Sequence, residues 1–155
     1  MYYFVLGPIR KINGAFKVLV INGYEEDSQA HLRILLEQAI TLLYILLNPE
    51  ERIQQYNDYC YVDQHNTMAK VEKYRPFYEI DYDKEEIIQN YERVKDKFKS
   101  KNRWSNKNLR EMAKEVGKEA EEWYEFIYSW NSSYVHSDIY SLKGVFEHES
   151  LETSL

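Results

Sequence analysis

Three side chains in this sequence are of types, and in places, suited to chemistry: His136, Arg33 and Glu37. An imidazole moves a proton near neutral pH and is tuned by a neighbouring carboxylate, so His136, at the end of a long helical pattern, is the leading general acid or base. Its structural alternative is a helix-end cap that binds the terminal carbonyls. Arg33 and Glu37 stand four residues apart inside the most apolar stretch of the chain, Leu32 to Leu47. Charge held away from water must be paired and hydrogen-bonded. Either the two side chains pair with each other, in the less favourable Arg-before-Glu order, or they line a polar pocket that also takes a residue from the last helix. With about 100° of rotation per helical residue, Arg33, Glu37, Thr41 and Tyr44 share one stripe.

The remaining reactive residue types lack partners. His31, His65 and His148 have no metal-ligand spacing, and there is no Gly-rich phosphate loop, no Gly-x-Ser-x-Gly and no Cys/His pair suited to a thiol nucleophile. No metal and no cofactor is expected. Cys60 is the single cysteine, which excludes a disulfide framework and fits a cytoplasmic protein. The opening residues lack the basic start of a secretory signal. The Leu32 to Leu47 stretch is shorter than the ~20 residues of a bilayer span and is interrupted by charge, so no membrane association is expected.

The elements that must position these residues are helical. At 155 residues and 44% hydrophobic content, one domain with its own core is expected over residues 1–146, with a frayed polar tail at 147–155. Apolar periodicity predicts a helix from Ile9 to Asn22, stopped by Asn22-Gly23. A second helix, capped by Asp27 or Ser28, runs to Leu47 and is ended by Asn48-Pro49. It is apolar nearly all round and belongs in the middle of a bundle. Pro49 opens a third helix that lasts to about Arg75-Pro76. Asp83 with Glu86 reads as a capping box for a helix whose apolar stripe is Ile87, Tyr91, Val94 and Phe98. A short helix from Asn108 closes at Gly117, and a last long helix runs from Lys118 to about Val135. On that helix Trp123, Tyr124, Ile127, Trp130, Asn131 and Tyr134 form the expected core face, with Glu122, Glu125, Ser129, Ser132, Ser133 and His136 on another face. The fold class is therefore all-α: a single bundle of five to seven helices around a buried apolar central helix.

Charge is unevenly placed. Residues 93–118 hold ten basic side chains against three acidic ones, in a chain whose net charge is −6. Lys99, Lys101, Arg103, Lys107 and Arg110, with Trp104 among them, are candidates for a phosphate-tracking surface with an aromatic platform for single-stranded RNA. The alternative is a solvated segment that balances acidic neighbours. A sequence pI near 5.3 argues against a dedicated DNA-binding protein.

Three segments together carry a resemblance: Leu32-Arg33-Ile34-Leu35-Leu36-Glu37, then Trp104-Ser105 ahead of Leu109-Arg110-Glu111-Met112-Ala113, then Tyr128-Ser129-Trp130-Asn131-Ser132-Ser133-Tyr134-Val135-His136. Between about Ala15 and Leu142 the chain resembles an uncharacterised bacterial and phage family of α-helical proteins and, more distantly, the HEPN superfamily. The HEPN resemblance implies a helical bundle, often a homodimer. It further implies, for many members, metal-independent endoribonuclease activity in toxin–antitoxin and abortive-infection systems. The family signature is Arg-x4–6-His, with a polar residue after the arginine. His136 matches the histidine and Asn131 the polar residue, but Trp130 occupies the arginine's position. In the family the arginine holds the scissile phosphate and the histidine helps activate the ribose 2′-hydroxyl. A tryptophan cannot supply that charge, so it would have to come from Arg33 or the basic segment.

Two functions of different class follow. One is a defence- or stress-related interaction or regulatory module, with a degenerate motif and a protein partner. The fifteen tyrosines favour this reading, because exposed aromatics suit partner surfaces. The other is an endoribonuclease acting on RNA through His136, Arg33, Glu37 and Asn131. A small-molecule or nucleotide site beside Arg33, Glu37 and His136 is a third reading.

Overall fold

The computed structural model describes residues 3–74, 83–99 and 103–131, with side chains from residue 7 onward. His136, Ser132, Ser133, Tyr134, Lys101 and the 147–155 tail lie outside the described residues. The described chain is all-α, with no strand: α1 (Tyr3–Ile21), α2 (Glu25–Leu46), α3 (Pro49–Tyr74), α4 (Lys84–Val94), α5 (Leu109–Val116) and α6 (Lys118–Glu122). A 3-10 turn, Lys95–Lys97, extends α4, and a π turn, Trp123–Tyr128, extends α6 before α-helical geometry resumes over 129–131. None of these helices is long and apolar enough to cross a membrane. Two compact units are formed, one by residues 45–108 and the other by the segments before 45 and after 108.

In the discontinuous unit, α1 begins six residues ahead of the predicted Ile9 and ends where the Asn22-Gly23 signal places it. Gly23 sits at φ +80, the Tyr24 amide donates to the Leu19 carbonyl (2.9 Å) and the Gly23 amide to Val20 (3.2 Å). This Schellman closure needs a left-handed residue, which glycine supplies without strain. The next helix, α2, starts earlier than the predicted Asp27 or Ser28 cap. Glu25, Glu26 and Asp27 occupy its first turn, where carboxylates complement the exposed amides, and the Ser28 hydroxyl turns back onto the Glu25 carbonyl instead of capping. Burial along α2 falls on Ser28, Ile40, Tyr44 and Ile45, while Ile34 and Leu46 are exposed. At the junction of α5 and α6, Gly117 at φ +140 makes the predicted break. Met112, Ala113, Ala120 and Asn131 are buried on these last elements.

The contiguous unit is an antiparallel αα-hairpin. Glu72 pairs with Lys84 (2.6 Å), His65 stacks flat on Tyr91 (centroids 3.8 Å apart), Arg93 lies over the Tyr61 ring, and Asp58 receives Lys97 (2.7 Å). Partners thus recede along α3 as they advance along α4. Asp83 caps α4 as predicted, its Oδ1 accepting the Glu86 amide at 2.9 Å. Of the predicted α4 stripe, Val94 is fully buried, while Ile87, Tyr91 and Phe98 are half-buried. Val62 and Met68 oppose them from α3.

Candidate functional site

Arg33 projects from the middle of α2 and reaches the last helix of its own unit. Its Nη2 donates to the Tyr128 hydroxyl at 3.1 Å, and the guanidinium carbon sits 4.9 Å from the centre of the same ring. One phenol therefore meets the cation both as a hydrogen-bond acceptor and as a π face. The Arg33 Nε is buried and has no hydrogen-bond partner among the described residues. Tyr128 in turn stacks on Tyr124 (centroids 5.0 Å apart, planes at 20°). Burial, then the neighbouring Tyr128 and Glu125, push the Tyr124 phenol above its usual range, outweighing the opposing Arg110 and Arg33. The Tyr124 side chain is accordingly a neutral donor and stacking surface near pH 7, not a base.

Arg33 turns to Tyr128 on the last helix, and Glu37 is exposed, outside that contact. Thr41 is half-buried and Tyr44 buried, so the stripe passes from a charged contact into the core along α2. Asn131 is buried one turn after Tyr128.

The expected aromatic core face of the last helix needs correction. Trp130 is 71% exposed, Phe126 73% and Ile127 36%, whereas Tyr124 and Tyr128 are half-buried. The cause is the π turn. One additional residue in a turn delays everything after it by about 100°, the rotation of a single α-helical residue. Trp130 is thereby moved off the inward side, toward the outward side on which Phe126 stands. The Tyr124 carbonyl, which accepts both the amide and the hydroxyl of Ser129 (3.1 Å for the hydroxyl), marks the i→i+5 geometry.

Four cations of the basic stretch, including Arg110 of the predicted surface, pair with acidic neighbours. Lys95 pairs with Glu92, Lys97 with Asp58, Arg110 with Glu125 and Lys118 with Glu122. Trp104 is half-buried and packs edge-on against Tyr56 (5.1 Å). Lys99 and Arg103 are exposed in the contiguous unit; Lys107 is half-buried there, and its amide donates to the Ser105 hydroxyl. Arg110 belongs to the other unit and is tied to the last helix through Glu125.

Sequence reasoning missed Tyr128, the partner of Arg33. A local signal existed in its i, i+4 spacing from Tyr124, but nothing local links either residue to a position 95 residues upstream. These features define a class: a helical protein with an aromatic, π-turned helix fastened by an arginine from α2. The chain belongs to a family of unknown function (DUF5677), whose model matches residues 6–153. No curated protein and no solved structure matches it.

Proposed function

We propose that this chain is a HEPN-like helical interaction module, of a defence- or stress-related regulatory kind, whose last helix presents an aromatic strip to a protein partner. The observation that carries the reading is the outward placement of Phe126 and Trp130, each more than two-thirds exposed, the second at a position where the helical pattern calls for core. Large aromatics kept in water at this density are characteristic of partner surfaces. Trp130 also stands where the HEPN signature has arginine, so the same residue removes the catalytic cation and supplies the contact. A photo-crosslinking amino acid at position 130 in the producing cell tests this. A defined protein adduct that disappears in Phe126→Ser supports the module. Absence of any protein adduct sinks it.

A second reading, metal-independent RNA cleavage through His136, is favoured by one observation: the cation missing at position 130 has a counterpart in Arg33, which reaches Tyr128 on the same helix. It predicts RNA cleavage that persists in chelator and is lost in both His136→Ala and Arg33→Met. Intact RNA after incubation with purified wild-type protein refutes it.

A further inference from the structure

Between α3 and α4, wholly within the contiguous unit, lies a cleft of about 440 Å³ that shares no residue with the Arg33 contact or the last helix. Its size is that of a small-molecule site, for which pockets of roughly 300–1,000 Å³ are usual. We infer that this cleft binds a small organic amine with a short apolar or aromatic body.

The lining dictates the chemistry. Met68, which is buried, and Val71 and Ile87, which are half-buried, give the cleft an apolar side able to take a hydrocarbon body. Asp63, Asp83 and Glu86 stand around the same space. No lysine or arginine lines it, and none of these three carboxylates has an ion-pair partner among the described residues. Asp83 spends one oxygen on the α4 cap, leaving the other oxygen and both neighbouring carboxylates available. The nearby cations are otherwise occupied: Lys84 is held by Glu72, and Arg93 bonds Asn90 at 3.2 Å while lying over Tyr61.

An anion would meet only negative charge in this cleft, and a purely apolar ligand would leave its polar lining unmatched. A bare metal ion is not served either, because among the described residues no three His, Cys, Asp or Glu side chains come together as a ligand set. An ammonium group beside the carboxylates, with its hydrocarbon body against Met68, Val71 and Ile87, satisfies both halves of the lining.

The test is titration of the full chain with 2-phenylethylamine, followed by amide NMR shifts, beside the neutral isostere 2-phenylethanol. Saturable shifts confined to α3 and α4 are expected, with the alcohol binding about 10-fold more weakly. Asp63→Asn and Glu86→Gln, which leave the Asp83 cap intact, should each weaken amine binding about 2- to 5-fold, the range of a solvent-exposed ion pair. Thr67→Trp, at an exposed position on the cleft wall, should abolish binding of both compounds by filling the space. Equal affinity for amine and alcohol, unchanged amine affinity in the Asp63→Asn, Glu86→Gln double variant, or absence of saturation at millimolar ligand would each overturn the assignment.

Discussion

Tyr128→Phe removes one hydrogen bond from the Arg33 contact and leaves the ring under the guanidinium. A hydrogen bond of this half-buried kind contributes about 1 kcal/mol net, so the substitution should lower the stability of the discontinuous unit by about that amount. Tyr128→Leu removes more: the cation–π contact, worth roughly 0.5–1 kcal/mol, and the stack on Tyr124, worth roughly 0.5–1.5 kcal/mol. The leucine variant should therefore lose about 2–3.5 kcal/mol in all. Arg33→Met gives a third value. It deletes the same contact but also removes the buried Nε that has no hydrogen-bond partner, a group whose burial costs about 1–3 kcal/mol. The methionine variant should thus be less damaging than Tyr128→Leu, and Tyr128→Phe should cost less in its background than in the wild type. Native-state hydrogen exchange at amides of α2 and of residues 118–131 reads these differences in the unit concerned. Additive effects of Arg33→Met and Tyr128→Phe would refute the coupling, since a double-mutant cycle between contacting groups must show an interaction energy. A Tyr128→Leu variant no worse than Tyr128→Phe would equally refute it.

Other outcomes follow from the same geometry. Asp58 is 5% exposed and accepts from both Gln54 and Lys97, whereas the Lys97 side chain is more than half exposed. Lys97→Met strands a buried carboxylate and should cost about 2–4 kcal/mol, more than the about 1–2 kcal/mol of Asp58→Asn, as measured by urea denaturation. Phe126→Ser and Trp130→Ser should each change stability by less than about 0.5 kcal/mol in the same assay, since both side chains are mostly in solvent. Tyr59 and Tyr124 both have phenols raised above the unfolded value of 10.0, in each case first by burial. A group whose neutral form is favoured in the fold contributes stability that is whole below its unfolded pKa and is lost as pH rises through the folded one. Stability should therefore hold up to about pH 10 and fall above it, and ultraviolet phenol titration of Tyr59→Phe and Tyr124→Phe should each show the loss of a late-ionising phenol.

Punctuation is the most readable part of the sequence. Asn22-Gly23, Asn48-Pro49, Asp83 three residues before Glu86, and Gly117 each mark a helix end because each acts through its own backbone or its nearest amides. The entry to α2 is less legible because Ser28 is a good capping type, yet its hydroxyl finds a carbonyl inside the helix. The inward side of the last helix is hidden for a deeper reason. Periodicity assumes a constant rotation per residue, and no residue type between Trp123 and Tyr128 announces an i→i+5 turn, so Ile127 and Trp130 read as core. Arg33 announces itself as a charge in an apolar helix, but its partner depends on tertiary placement. The α3 and α4 positions lining the cleft, among them Gln64, Thr67, Met68, Val71 and Ile87, already form helical stripes in the sequence; the space between them is a property of packing alone.

The nesting of one unit inside the other bears on how the chain is made. Residues 45–108 form a contiguous hairpin, so every residue of that unit is present before the second half of the other unit has been synthesised. The helix carrying Arg33 emerges early and must wait 95 residues for Tyr128. At synthesis rates of about 5–20 residues per second, that interval is roughly 5–20 s. During it Arg33 has no C-terminal partner from its own unit, while every residue of the central hairpin is made. On this order of synthesis the Arg33 contact is among the last that can form.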